Sequence, residues 1–85
     1  MAIPNYDYQN EFNQDMRKIG KGIKVLREMH GISQKEMDVS AYVIGGLENG
    51  FANIKLDTLH RIAKTFGMSM AELLVFCDKA ESIQV

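Results

Sequence analysis

From Glu11 onward, apolar residues recur at intervals of three and four: Phe12, Met16, Ile19, Ile23, Leu26 and Met29. Because 3.6 residues complete a helical turn, that spacing gathers them on one stripe of an α-helix. Arg17, Lys21 and Lys24 follow i, i+4 and i+7 on the outer side and form a basic strip. Gly20 and Gly22 each weaken the helix by roughly 1 kcal/mol relative to Ala, so it needs support from packing. Gly31 supplies a stop.

Ser33-Gln34-Lys35-Glu36 reads as a capping box, with Ser33 as N-cap and Glu36 three positions later. Asp38-Val39-Ser40 gives a further turn and N-cap signal. Ala41 to Asn49 is then a short apolar helix weakened by Gly45-Gly46 and closed by Gly50, and Phe51 to Lys55 is a loop. The cleanest amphipathic pattern covers Asp57 to Phe66, where Leu56, Leu59, Ile62, Ala63 and Phe66 share one side and Gly67 ends the run. Ser69 caps a last helix whose apolar positions are Met70, Leu73, Leu74 and Phe76. No segment alternates with period two, and no repeat is present. The pattern predicts an all-α domain of five short helices over 11–78, preceded by a loose arm (1–10) and followed by a polar tail (79–85).

Length and composition narrow the classes. Eighty-five residues make one small domain. At 46% hydrophobic and 25% charged, the chain has the make-up of an ordinary folded protein. Its net charge of -1 excludes a polycationic nucleic-acid coat, but the charges are segregated. Residues 17–64 hold nine Lys/Arg against five Asp/Glu, while the flanks are acidic. A local anion-binding surface therefore remains open.

A single cysteine, Cys77, forms no intramolecular disulfide and points to a reducing compartment. No apolar run approaches the roughly 20 residues that span a bilayer, and Met1 to Asp15 lacks a signal-peptide pattern. A cytoplasmic domain is expected, without a membrane partner. His30 and His60 have no companions at metal-ligand spacing and read as surface or helix-end residues. The six methionines read as core filling, and Cys77 as packing. With no phosphate loop, catalytic dyad or nucleophile elbow, neither an enzyme nor a cofactor is expected.

Four pieces in order carry a resemblance: Gly31-Ile32-Ser33-Gln34; Val39-Ser40 through Leu47-Glu48-Asn49-Gly50; Leu56-Asp57-Thr58-Leu59 with Ile62-Ala63; and Phe66-Gly67-Met68-Ser69 with Glu72-Leu73-Leu74. Over residues 17–76 the chain resembles the Xre family, the Cro/CI-type helix-turn-helix regulators of phages and bacteria. The resemblance implies a five-helix, lambda-repressor-like bundle whose third helix lies in the major groove of double-stranded DNA. It implies a repressor or autoregulator that binds a palindromic operator as a homodimer. The implied DNA-contacting positions are Ser33, Gln34, Lys35, Ser40, Ala41, Tyr42, Gly46, Asn49, Asn53 and Lys55. Arg27 and Glu48 match positions that often form a structural salt bridge, and Met70, Leu73, Leu74 and Phe76 would form the dimer surface.

Two departures stand out. Between Met37 and Val39 only Asp38 intervenes, about four residues fewer than the family pattern, or about one helical turn. The second helix is therefore expected to be a stub, or to fuse with the third from Ser33 to Asn49. Fusion would expose apolar surface and call for a second copy of the chain, with exchanged segments as one route. The reading face of the third helix is also bare: Ala41, Tyr42, Val43, Gly45 and Gly46 stand where relatives carry Arg, Gln, Ser or Lys. Direct base readout needs forked polar groups, so DNA affinity would lean on phosphates and fall steeply with salt. The alternative is a helix-turn-helix-derived module that has lost base readout and binds a partner protein.

Overall fold

Asp7 starts the first helix by accepting the Asn10 backbone N–H at 3.2 Å. Helix α1 then runs over Tyr8–Met29. It begins ahead of the expected Glu11, because an aspartate N-cap satisfies one of the free N–H groups of the first turn. The computed structural model describes residues 7–50 and 53–80. Most of the expected arm, the loop positions 51–52 and the tail from 81 lie outside the described residues. At its C-terminus α1 turns through Gly31, at φ +67. The Gly31 N–H donates to the Glu28 carbonyl and the Ile32 N–H to the Arg27 carbonyl, both at 3.1 Å. This pair of bonds closes a helix through a left-handed residue, a conformation that glycine adopts without steric cost.

The next element is a 3-10 turn, Gln34–Glu36. The chain then extends at Met37 (φ -70, ψ 149) before helix α2, Ala41–Glu48. Ser40 caps α2, its hydroxyl accepting the Tyr42 N–H at 3.2 Å. The continuous helix considered for Ser33 to Asn49 is therefore absent. The extended backbone lets Met37 enter the core at 5% exposure, with Ile32 and Val39 packed half-buried against it. Helices α3 (Leu56–Thr65) and α4 (Met70–Asp78) follow. The described residues thus hold four α-helices and one 3-10 turn where the sequence predicts five helices. The second helix is the shortened one.

Glycines set how the helices meet. Gly20 and Gly22 are two residues apart, hence about 200° apart around α1, and each faces a different neighbour. A Cβ on Gly20 would collide with the Leu47 carbonyl oxygen and stand 2.8 Å from its carbon. A Cβ on Gly22 would collide with the Cys77 Sγ and stand 2.8 Å from its Cα. The residues that weaken α1 as an isolated helix are those that admit α2 on one side and α4 on the other. Ile23, Ile44, Leu47, Ile62, Leu73 and Cys77 fill the space between, all with under 2% exposure.

Two ends of the expected apolar stripes fall outside this core. Met29 is 61% exposed and Leu56 74% exposed, because each is the terminal residue of its helix. Packing instead reaches past α4 to Ala80, which is fully buried although the polar tail was expected from Lys79. The capping box expected at Ser33 forms, and a second stands at Ser69, where only an N-cap was expected. Glu36 accepts the Ser33 N–H and Glu72 the Ser69 N–H, each at 2.8 Å. Those backbone bonds hold both carboxyls below the usual glutamate range. Burial pushes the Cys77 thiol the other way, up to about 11.

Gly20→Ala and Gly22→Ala are expected to lower stability by about 1–3 kcal/mol through overpacking, despite the better helix propensity of Ala. Gly45→Ala should hold or raise it, since its Cβ would meet only the Gln34 amide at 3.6 Å. Urea unfolding midpoints of the three variants check the contrast. A thiol-labelling series checks Cys77, which should stay unmodified in the folded chain at pH 8. An unfolded thiol loses its proton near 9.0 and the buried one near 11. Between those values the unfolded state binds fewer protons, so this group makes stability fall as pH rises through the window and leaves it unchanged below.

Candidate nucleic-acid interface

One ion pair fixes α2 relative to the rest of the chain. Arg27, in the last turn of α1, donates from Nε to Glu48 Oε2 at 2.8 Å and from Nη2 to Glu48 Oε1 at 3.0 Å. Its Nη1 donates to the Ile32 carbonyl at 3.0 Å, and Gln34 Nε2 donates to Glu48 Oε1 at 3.2 Å. The side chains of Arg27 and Glu48 are only 15% and 5% exposed. Hydrogen bonding to Glu48 raises the arginine's pKa against the opposing effect of burial. The pair suggested by the family resemblance is thus a two-pronged bridge with every buried polar side-chain atom satisfied among the described residues. Gln34, expected to meet a phosphate or to brace a base-reading side chain, turns its amide to Glu48 in the free chain and lies over Gly45.

The α2 helix then presents a narrow face. Tyr42 is 90% exposed, and Ser40 is exposed beside it. Ala41, Gly45 and Gly46 are half-buried, Val43 packs on the core, and Ile44 is fully buried. Among the positions of this helix that face solvent, Tyr42 alone carries a hydrogen-bonding side chain. Ala41 offers a methyl suited to a thymine methyl, and Tyr42 a single hydroxyl or a stacking ring. Asn49 is exposed, but its Nδ2 donates to the Gly45 carbonyl at 2.9 Å and finishes the last turn of its own helix. Around this face Ser33, Lys35, Asn53 and Lys55 are all exposed. Lys55 is the N-cap of α3 and makes no side-chain capping bond, which leaves its ammonium outside the helix start.

The expected dimer surface needs correction. Leu73 is fully buried in the core of its own chain and has no surface to offer a second copy. Leu74 is 40% exposed, while Met70 and Phe76 are half-buried and pack on the core. Val75, 55% exposed, was missed. It lies with Met68, Ala71 and Phe76 along a shallow apolar groove bordered by Glu72 and Lys79. The i, i+4 relation of Ala71 and Val75 was the available signal, and the stronger Leu73-Leu74 pair masked it.

Other chemistry is structural. The His30 ring packs against Phe66 with centroids 5.1 Å apart, and its Nδ1 lies 2.9 Å from the Leu26 carbonyl. His60 is exposed on α3. Among the described residues, no group of three or more His, Cys, Asp or Glu side chains is placed to hold a metal ion. No helix there is long and apolar enough to cross a membrane.

A family model described as helix-turn-helix matches residues 23–73, roughly three fifths of the chain. The matched segment runs from the last third of α1 to the middle of α4 and encloses the whole Arg27–Glu48–Gln34 network. No curated protein and no solved structure gives a significant match.

Removing one partner of a pair this buried typically costs about 3–5 kcal/mol. Arg27→Met and Glu48→Met should each fall in that range. The double variant should recover much of the loss, since neither charge is then left unpaired. Chemical denaturation of the three variants gives the coupling directly, and additive losses would show that the bridge contributes nothing specific.

Proposed function

Because the chain belongs to the helix-turn-helix family of Xre (Cro/CI-type) regulators, we propose that it is a repressor acting on its own operator as a homodimer in the cytoplasm. DNA binding and regulation of transcription come with the family. Repression, a palindromic site and the dimer are the finer reading. The observation that carries it is the match over 23–73, which contains a capped α2 braced from behind by Arg27 and Glu48 and open at Tyr42. In this reading two α2 helices enter successive major grooves about 34 Å apart. The apolar side of α4, with Leu74 and Val75 exposed, supports a contact between copies. Ser40, Ala41, Tyr42 and Gly46 face the groove, while Ser33, Lys35, Asn49, Asn53 and Lys55 lie toward the backbone and position the helix.

A second reading has one specific observation in its favour. The exposed face of α2 holds a single polar side chain, against the several forked groups that specific readout uses. That face suits a module which has exchanged base reading for a protein partner. Weak base discrimination with a large phosphate contribution reconciles the same face with DNA.

Titrating the chain into a duplex from upstream of its own gene, at two salt concentrations and with competitor DNA, separates the two. Saturable binding that survives competitor and weakens steeply with salt is expected. Equal, weak binding to any duplex would end the operator reading and favour the protein-binding module. Mass in solution is the companion measurement: a dimer is expected at micromolar concentration, and a strict monomer would remove the palindrome.

A further inference from the structure

The basic strip of α1 remains outside everything described so far. Arg17, Lys21 and Lys24 are all exposed. None forms an ion pair or a hydrogen bond among the described residues. The only other lysine of this helix, Lys18, is turned to Asp78 of α4 at 3.4 Å. Arg17 and Lys21 precede the segment that matches the helix-turn-helix family.

Contacts of α1 with its neighbours fix which way the strip faces. Gly20 marks the line on α1 that meets the end of α2, and Gly22 the line that meets α4. At about 100° per residue, Met16, Ile19, Ile23 and Leu26 fall in the arc between those lines, as core residues should. Arg17, Lys21 and Lys24 fall about 40–100° from Gly20 in the opposite sense, just outboard of α2. An independent contact agrees: Arg17 Cγ lies 3.2 Å from where a Cβ on Gly50 would stand, directly after α2. One acidic residue of α1, Asp15, sorts the other way. Asp15 lines a small pocket with Leu74, Cys77 and Asp78, on the α4 side. The unpaired cations of the helix therefore stand beside α2, while on the α4 side Lys18 is matched by Asp78; Glu28 ends the strip one turn beyond Lys24.

We infer that Arg17, Lys21 and Lys24 form a track for the sugar–phosphate backbone of duplex DNA, laid alongside the α2 that enters the groove. The inference rests on the regulator reading above and names where its affinity comes from. A helix face that offers bases one hydroxyl supplies little binding of its own, whereas unpaired cations displace condensed counterions at each phosphate they meet. The shortened second element sharpens the need. Its one turn, Gln34–Glu36, has its amide side chain committed to Glu48 and its carboxylate to the Ser33 N–H, which leaves exposed Lys35 as the only cation there. Backbone contact beyond Lys35 and Lys55 must come from cations elsewhere, and Arg17 of the strip lies against Gly50 at the end of α2.

The test is the salt dependence of binding to a fixed operator-region duplex, for the full chain and for R17Q/K21Q/K24Q. Loss of three phosphate contacts should flatten the slope of log affinity against log salt by about 2.7, at about 0.9 per contact. The native advantage over the variant would then shrink about forty-fold between 50 and 200 mM salt. Each single substitution should flatten the slope by about 0.9, which covers the case in which the triple variant folds poorly. Lys18→Gln, on the same helix but turned to α4, should leave the slope unchanged. If the native chain binds and the strip variants keep its slope, the track is wrong and the regulator reading stands. If Lys18→Gln flattens the slope as much as a strip substitution, the effect is bulk charge and the track is again wrong. If the native chain binds no duplex at all, both readings fall.

Discussion

The structure depends on how closely α2 approaches α1. At Gly20 the backbone of Leu47 rests on the helix where any side chain would stand. Seven residues on, two turns along nearly the same line, Arg27 reaches the carboxylate of the very next residue, Glu48. Contact at one point and charge at the other determine where α2 lies and how it is rotated. Gln34 and the Ile32 carbonyl join the same pair, so the turn before α2 is held by the residues that hold its end. On the opposite side Gly22 admits Cys77, and α4 closes the core. Larger side chains at either glycine would separate the layers that bury Ile23, Leu47 and Leu73.

A buried ion pair is a poor source of net stability, since taking both charges out of water offsets most of their attraction. Its value here lies in geometry. Only a single 3-10 turn, Gln34–Glu36, stands between α1 and α2 to brace the latter. The Arg27–Glu48–Gln34 network adds directional bonds to that brace, with Met37 filling the core beneath. The face so presented is small and almost apolar, which in the proposed reading shifts the work of binding from bases to phosphates. Charge is distributed unevenly: the unpaired cations of α1 lie beside α2, Asp15 and the Lys18–Asp78 pair lie toward α4, and the net charge of -1 conceals both.

Much of this was legible from residues alone, and what was not has a common cause. Ser40 and Ser69 as caps, and Gly31, Gly50 and Gly67 as stops, act through bonds within a few residues, so local sequence suffices to place them. The amphipathic run through Leu59, Ile62 and Ala63 is similarly unambiguous. Gly20 and Gly22 were visible only as weak points, because propensity reports the isolated helix and says nothing of the neighbour that needs the gap. Leu73 looked like surface because a helix with apolar residues on two sides does not declare which side its own core takes. The choice between a stub and a fused helix at Met37–Ser40 turned on one hydroxyl and one extended residue. The spacing showed a missing turn but not how the chain would bridge it. At the site, Gln34 read only as a DNA contact, because nothing local shows that Glu48, fourteen residues on, takes its amide in the free chain.

Native-state amide hydrogen exchange of the free chain at low micromolar concentration tests the central claim, that α2 is seated on α1 within each chain despite the missing turn. The account predicts that the amides from Ile44 to Asn49 exchange only by the global opening that releases the middle of α1, while Asp38 to Ser40 exchange freely. Fast exchange across Ile44 to Asn49 with α1 still protected would contradict it. So would continuous protection from Gln34 through Asn49, the signature of one fused helix.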